Sequence, residues 1–197
     1  MEITAKMVKE LRDATNAGMM DCKKALAECA GDLEKAKEYL RKKGIASAAK
    51  KADRATSQGL VGSYIHMGGK VGVLVEVACE TDFVARTADF QEMVHNIAMH
   101  IAATSPVAIA RDEVDPALVA KEKEIYAAQM REEGKPEPMI EKIVAGKIGK
   151  FYGEVVLLEQ KYVKDPDLTI EDYIKSVIGK LGENMQVKRF ARFSIGG

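Results

Sequence analysis

Valine alternates with other residues from Val71 to Val77, and this period of two constrains the fold more than any other feature of the chain. Such alternation is typical of a β-strand that has one buried face. Gly68-Gly69 lies just before it and suits a tight turn, which predicts a hairpin of residues 60–67 and 70–79. Because cross-strand partners point the same way, the residues opposite the valines should share their buried face.

The segment Thr81-Asp82-Phe83-Val84-Ala85 follows this strand directly and precedes a helix. It places a large aromatic side chain, Phe83, at the tip of a loop. Two interpretations stay open from the residues alone. Phe83 is either a hydrophobic staple folded back onto its own helix or an exposed anchor that enters a pocket of a partner.

A helical pattern comes next, because Phe90, Val94, Ile97 and Ile101 recur at the spacing of one helix face. This amphipathic helix should be continuous, cover the hairpin and stop before Pro106. Three more helices are predicted further along the chain, and residues 185–195 alternate enough to add a last strand. Helices that follow a small antiparallel sheet indicate the α+β class.

The first fifty residues predict a compact module of three short helices. The predicted N-caps are Thr4, Asp21 and Asp32, and the predicted stops are Gly18, Gly31 and Gly44. The next residues are small and polar, as in a linker. We therefore predict a three-helix module at 1–50, a linker at 51–58 and an α+β core at 59–197.

Composition argues against several classes of function. Thirty basic residues balance thirty acidic ones, whereas a protein that binds the phosphate backbone of a nucleic acid shows a basic excess. We therefore expect no direct nucleic-acid partner. The first residues lack the pattern of a signal peptide, and no apolar run is long enough to span a bilayer. These patterns predict a cytoplasmic protein without a membrane partner.

Catalytic chemistry is not indicated either. No Ser, Cys or His lies in a local motif of a nucleophile with its base, and the three cysteines form no CxxC pair. The sequence predicts no catalytic residue, no metal site and no cofactor. Met19-Met20 remains as an apolar pair in a connection between two helices, where it is either packed in the core or in contact with a partner.

Four blocks of sequence together resemble one family, bacterial translation elongation factor Ts. They are Leu11-Arg12 with Thr15, the run from Gly18 to Leu26 (GMMDCKKAL), the TDFVA segment around Phe83, and the run from Ile97 to Ala102 (IAMHIA). The blocks occur in the order of the family and extend over nearly the whole chain. The chain is therefore identified as a member on sequence grounds.

This resemblance implies a guanine nucleotide exchange factor that binds elongation factor Tu carrying GDP and expels the nucleotide without covalent chemistry. The N-terminal module is then similar to ubiquitin-associated domains and packs on the GTPase domain of Tu. Phe83, with Asp82 beside it, would displace the element of Tu that coordinates magnesium. The residues implied to bind Tu are Arg12, Met19, Met20, Thr81, Asp82, Phe83, Val84 and His100.

The chain looks like the short form of the family. Longer members carry an extra stretch between the aromatic loop and the Ile-Ala-Met-His segment, whereas residues 90–101 read here as one continuous helix. Short members are expected to pair through the sheet, which predicts a homodimer with two Tu partners. One alternative stays open, namely an adaptor that uses its first module to bind ubiquitin-like or ribosomal partners without releasing a nucleotide.

Overall fold

The computed structural model describes residues 3–15 and 17–196. The helices are α1 (Ala5–Thr15), α2 (Met19–Glu28), α3 (Leu33–Ala49), α4 (Asp82–Ala85), α5 (Ala88–Thr104), α6 (Pro116–Glu132), α7 (Glu137–Val155) and α8 (Ile170–Leu181). The strands are β1 (Gln58–Ile65), β2 (Val71–Cys79), β3 (Lys161–Tyr162), β4 (Asp165–Thr169) and β5 (Met185–Ser194). This order of elements confirms the α+β class.

The chain divides into two compact units that do not follow the order of the sequence. The first takes in the chain as far as Gly62, together with Glu76–His95 and Asp172–Lys188. The second takes in Ser63–Val75, Asn96–Glu171 and the chain from Arg189 onward. The main sheet has the strand order β1-β2-β5, and β3 pairs antiparallel with β4 in a separate small sheet.

The three N-terminal helices form around the predicted caps and core. Thr4 Oγ1 accepts a hydrogen bond from the Met7 amide at 3.3 Å, and Asp32 accepts one from the Lys35 amide at 3.1 Å. Gly31 has a φ of +84°, as expected for a helix stop. The buried core of these helices consists of Val8, Leu11, Cys22, Ala25, Leu26, Ala36 and Leu40.

Three of the predicted helix ends are wrong. Gly18 has a φ of −60° and is the N-cap of α2 rather than a left-handed stop. Helix α2 therefore begins at Met19, so that Asp21 lies in its first turn and forms an ion pair with Lys43 at 2.5 Å. Gly44 does not end α3, which continues to Ala49. A glycine stops a helix only where its φ is positive, and spacing alone does not show that angle.

The hairpin forms in the predicted register but has a longer loop. The His66 amide donates to the Val71 carbonyl, and the Gly69 amide donates to the His66 carbonyl, both at 2.9 Å. Gly68 and Gly69 both have positive φ, at +87° and +69°. The loop therefore contains four residues between His66 and Val71. The alternation survives this change on β2, because the valines at 73, 75 and 77 remain buried. The expectation that the opposite residues share this buried face is wrong, since every residue of β1 is exposed or half-buried.

Helix α5 has the buried face, the continuity and the end that were predicted. Phe90, Val94, Ile97 and Ile101 are buried, and the helix runs without a break to Thr104. The β3–β4 hairpin was not expected, because its strands are too short to show a period of two. Among the described residues, no helix has both the length and the apolar character needed to cross a membrane.

Candidate functional site

The segment around Phe83 is a single helical turn rather than a loop. Thr81 is extended and caps this turn, since its hydroxyl oxygen accepts a hydrogen bond from the Val84 amide at 3.4 Å. The turn ends at Ala85, and the Thr87 hydroxyl donates to the Val84 carbonyl at 2.8 Å. The local sequence favours this geometry because Thr is a preferred N-cap and Asp82 suits a first turn.

Phe83 points away from its own turn, with 79% of its surface exposed. The staple interpretation is therefore wrong, because a staple would be covered by the helix that it packs on. Asp82 lies beside it and accepts a hydrogen bond from Arg86 at 2.7 Å. This ion pair is largely exposed and contributes little stability. The turn thus presents an uncovered aromatic ring with a carboxylate next to it.

A distant segment holds this turn in place. The carboxylate of Glu183 accepts two hydrogen bonds from Thr81, one from its amide at 3.0 Å and one from its hydroxyl at 2.6 Å. Glu80, one residue earlier, accepts from the Asn184 amide at 2.6 Å. No sequence pattern points to Glu183, because it lies 102 positions away from Thr81, in a stretch after α8 that carries no motif. Only the fold brings the two segments together.

The N-terminal helices expose the methionine pair at the start of α2. Met19 is 60% exposed and Met20 is 76% exposed, so packing in the core is excluded as their role. Arg12 is also exposed, on α1. Beneath the methionine pair, Cys22 is buried, and burial raises the pKa of its thiol. The first turn of α2 therefore has an apolar exposed side over a closed core.

His100 occupies a different environment, since its ring is fully buried in the second unit. Nε2 lies 3.0 Å from Gln160 Oε1, and Nδ1 accepts a hydrogen bond from the Val163 amide at 3.4 Å. Burial lowers the pKa of His100, while the hydrogen bond to Gln160 acts in the opposite direction. A contact with a partner through this side chain stays a prediction, and the enclosed ring favours a supporting role.

The predicted site residues thus fall into three places. Thr81, Asp82, Phe83 and Val84 share one short turn, Arg12 and the methionine pair lie on the N-terminal helices, and His100 is enclosed elsewhere. Within residues 3–15 and 17–196, no group of His, Cys, Asp or Glu side chains has the arrangement of a metal site. The two exposed groups are suited to binding a protein through apolar contacts with charged neighbours.

Comparison with known proteins points to one family. The family model described as Elongation factor TS matches residues 2–197. The protein named elongation factor Ts from Geotalea daltonii is 59% identical over 196 residues, which covers 100% of this chain and 91% of the relative. Its namesake from Geobacter sulfurreducens is 61% identical with the same coverage. The one from Nitratidesulfovibrio vulgaris is 59% identical, covering 100% of this chain and 98% of that protein.

Proposed function

The chain belongs to the elongation factor Ts family, and from this premise we propose that it is a guanine nucleotide exchange factor for elongation factor Tu. It binds Tu carrying GDP during translation elongation and promotes release of the nucleotide. Release follows from displacement of the elements of Tu that bind magnesium and the phosphates. The protein needs no covalent chemistry and no cofactor for this task, and it acts in the cytoplasm without contacting a nucleic acid directly.

The observation that carries this proposal is the exposure of Phe83 on a braced turn. An aromatic ring that is 79% exposed costs hydration free energy in the unbound protein, and that cost is recovered when a pocket covers it. The braced turn reduces the conformational entropy that binding would otherwise remove. Asp82, Thr81 and Val84 complete the contact as neighbours of the ring.

In this mechanism the exchange factor and the nucleotide compete for Tu, because each stabilises a different geometry of its binding site. Magnesium and backbone amides hold the diphosphate in Tu, so a partner that stabilises a displaced geometry weakens nucleotide binding. By linkage, the nucleotide weakens binding of the partner by the same factor. A nucleotide that binds again, GTP included, therefore favours dissociation of the exchange factor from Tu.

Phe83 by itself supplies too little free energy for this effect. A ten-thousandfold acceleration of release requires roughly 5.5 kcal/mol of differential stabilisation, whereas burial of one phenylalanine contributes about 1.5 to 3 kcal/mol. Other contacts must supply the difference. We assign to Arg12, Met19 and Met20 the task of holding the N-terminal module on the GTPase domain of Tu, which raises the effective concentration of Phe83 at its target.

The test is release of a fluorescent GDP analogue from elongation factor Tu under excess unlabelled GDP. We expect the wild-type chain to accelerate release strongly and Phe83→Ala to lose most of that acceleration. Met67→Ala is the matched control, since Met67 is also an exposed apolar side chain, at the tip of the β1–β2 hairpin. The control should release the analogue as fast as the wild type does.

Two other outcomes would change the proposed role of Phe83 or the proposed function. Fast release by both wild type and Phe83→Ala would keep the exchange activity and remove Phe83 from the mechanism. A folded wild-type chain that binds Tu without accelerating release would contradict exchange and support the adaptor function instead.

We also propose that the protein is a homodimer that binds two copies of Tu. A surface groove in the second unit supports this, because four exposed apolar side chains line it: Ile65, Leu74, Phe193 and Ile195. The groove lies on the end of the hairpin and on β5, so pairing would occur through the sheet. An exposed apolar patch of this kind is typical of an interaction surface.

A further inference from the structure

The connection between β2 and the Phe83 turn is unusually well anchored. Thr81 lies between β2, which ends at Cys79, and α4, which begins at Asp82, so its torsion angles influence the direction of the turn. All three of its polar groups are engaged. Its amide and hydroxyl donate to Glu183, its hydroxyl oxygen accepts from the Val84 amide, and its carbonyl accepts from Cys79 Sγ at 3.1 Å.

The Glu183 carboxylate decides how the Thr81 hydroxyl can act. A hydroxyl has one proton and two lone pairs, and its proton position rotates to suit its surroundings. With the proton committed to Glu183 Oε1 at 2.6 Å, the lone pairs are free for the Val84 amide. The second carboxylate oxygen, Oε2, accepts a hydrogen bond from the Thr81 amide, so both oxygens of Glu183 bind Thr81. Hydrogen bonds to an ionised group are about twice as strong as neutral ones.

The segment that carries Glu183 is itself fixed. Gly182 ends α8 with a φ of +81°, and its amide donates to the Ile178 carbonyl at 2.9 Å. The buried side chain of Asn184 donates to the carbonyls of Ala52 and Arg54, at 3.0 and 2.9 Å. Glu183 is therefore held between a helix end and a buried amide. It acts as a fixed support rather than as a mobile surface carboxylate.

We propose that Glu183 is a positioning residue for nucleotide exchange, which acts through Thr81 to hold the exposed Phe83 ring in the orientation that enters Tu. The proposal rests on the exchange function proposed above. Glu183 is only partly exposed, and its carboxylate faces Thr81, so its role is to preorganise the turn rather than to touch nucleotide or magnesium. Preorganisation raises the rate of the step in which the ring is inserted, because the turn need not be ordered during that step.

A positioning role and a general role in stability predict different kinetic defects when Glu183 is removed. A positioning role lowers the maximal rate of release and leaves the affinity for Tu nearly unchanged. The exposed Arg12, Met19 and Met20 lie on another part of the chain, so the module's grip on Tu should survive the loss of Glu183. We therefore expect Glu183→Ala to lower the maximal rate of GDP release on the order of tenfold. The concentration of exchange factor that gives half-maximal release should change less than about twofold.

The experiment measures release of the fluorescent GDP analogue across a range of exchange-factor concentrations. The variants are Glu183→Ala, the equal-sized Glu183→Gln, Thr81→Val and Thr81→Ser. Glu183→Gln should be intermediate, since its amide offers one acceptor in place of two. Thr81→Ser should release the analogue faster than Thr81→Val does, because only serine keeps the hydroxyl. Glu141→Ala removes an exposed carboxylate from α7 and is the matched control.

A double-mutant cycle with Phe83→Ala gives the decisive readout. If Glu183 acts through the ring, Glu183→Ala should cause no further loss once Phe83 is absent. An equal loss in both backgrounds, or wild-type release by Glu183→Ala itself, would overturn the positioning role while leaving exchange intact. A wild-type chain that fails to accelerate release would overturn the exchange function and this role with it.

Discussion

At the scale of single residues, the exposed side chains of the N-terminal helices allow affinity for Tu to be tested separately from the rate of GDP release. Met20 is 76% exposed at the first turn of α2, and its neighbours beneath are already packed. Truncating it leaves the module's core unchanged. Its loss should therefore act on binding to Tu and not on the fold.

We predict that Met20→Ala weakens the complex with Tu on the order of tenfold, because an apolar side chain of this size no longer becomes buried on binding. The rate of GDP release within the formed complex should stay nearly unchanged. Titration calorimetry and release at saturating exchange factor measure the two quantities. An unchanged dissociation constant would remove Met20 from the interface.

Another residue-scale effect arises at His100, whose burial lowers its pKa. As the pH falls below about 6.5, a histidine in the unfolded chain takes up a proton before the buried one does. The unfolded state then binds more protons, so acid reduces the free energy of unfolding. This penalty is absent above the pKa of the unfolded chain.

We predict that the wild-type chain loses more stability than His100→Gln does between about pH 7.5 and about pH 5.5. Glutamine cannot be protonated in this range, so only the contributions of other groups remain in the variant. Urea unfolding at the two pH values gives the change in the free energy of unfolding for each protein. An equal change in the two proteins would contradict a depressed pKa at His100.

At the scale of elements, α3 and α8 approach each other through two glycines. A Cβ on Gly179 would lie 3.2 Å from Gly44 Cα, which is tighter than ordinary van der Waals contact. This close approach explains why position 179 carries a glycine. Arg41 of α3 adds an ion pair with Asp172 of α8, at 2.7 Å. Together these contacts fix the N-terminal helices to the helix that precedes Glu183.

We predict opposite effects for alanine at two helical glycines. Gly149→Ala, on α7, meets nothing within 4 Å and should raise stability by about 0.5 to 1 kcal/mol through helix propensity. Gly179→Ala gains the same propensity but must push α3 and α8 apart, which costs about 1 to 3 kcal/mol. Thermal unfolding of both variants measures the difference. A Gly179→Ala protein as stable as Gly149→Ala would show that the helices separate freely.

At the scale of the whole molecule, the apolar groove on β5 determines the proposed oligomeric state. In a two-fold symmetric dimer, the same patch meets its own copy, so each substitution in it counts twice. A carboxylate introduced there would be buried without a partner and would face a second carboxylate.

We predict that the wild-type chain sediments as a dimer at micromolar concentration and that Phe193→Glu sediments as a monomer. Met139→Glu introduces the same charge at an exposed apolar position on α7 and should leave the dimer intact. Sedimentation velocity distinguishes the species. A wild-type monomer at this concentration would end the dimer proposal, and a dimeric Phe193→Glu would move the interface elsewhere.

The local patterns were enough to predict most of the elements. The valine alternation, the face of α5 and the caps at Thr4 and Asp32 depend on neighbours within a few residues, so the sequence records them directly. The ends at Gly18 and Gly44 were mispredicted because neither glycine has a positive φ, and local spacing does not show that angle. The short β3–β4 hairpin left too few residues for a pattern.

The candidate site shows the same boundary between local and tertiary information. The sequence by itself marked Phe83 and the methionine pair as apolar residues in connections, and its motifs placed the chain in its family. Only the tertiary structure decided that these side chains are exposed and that His100 is enclosed. Only the structure set Glu183 against Thr81, because a hydrogen bond across a hundred residues depends on how helices and strands pack, which no local period encodes.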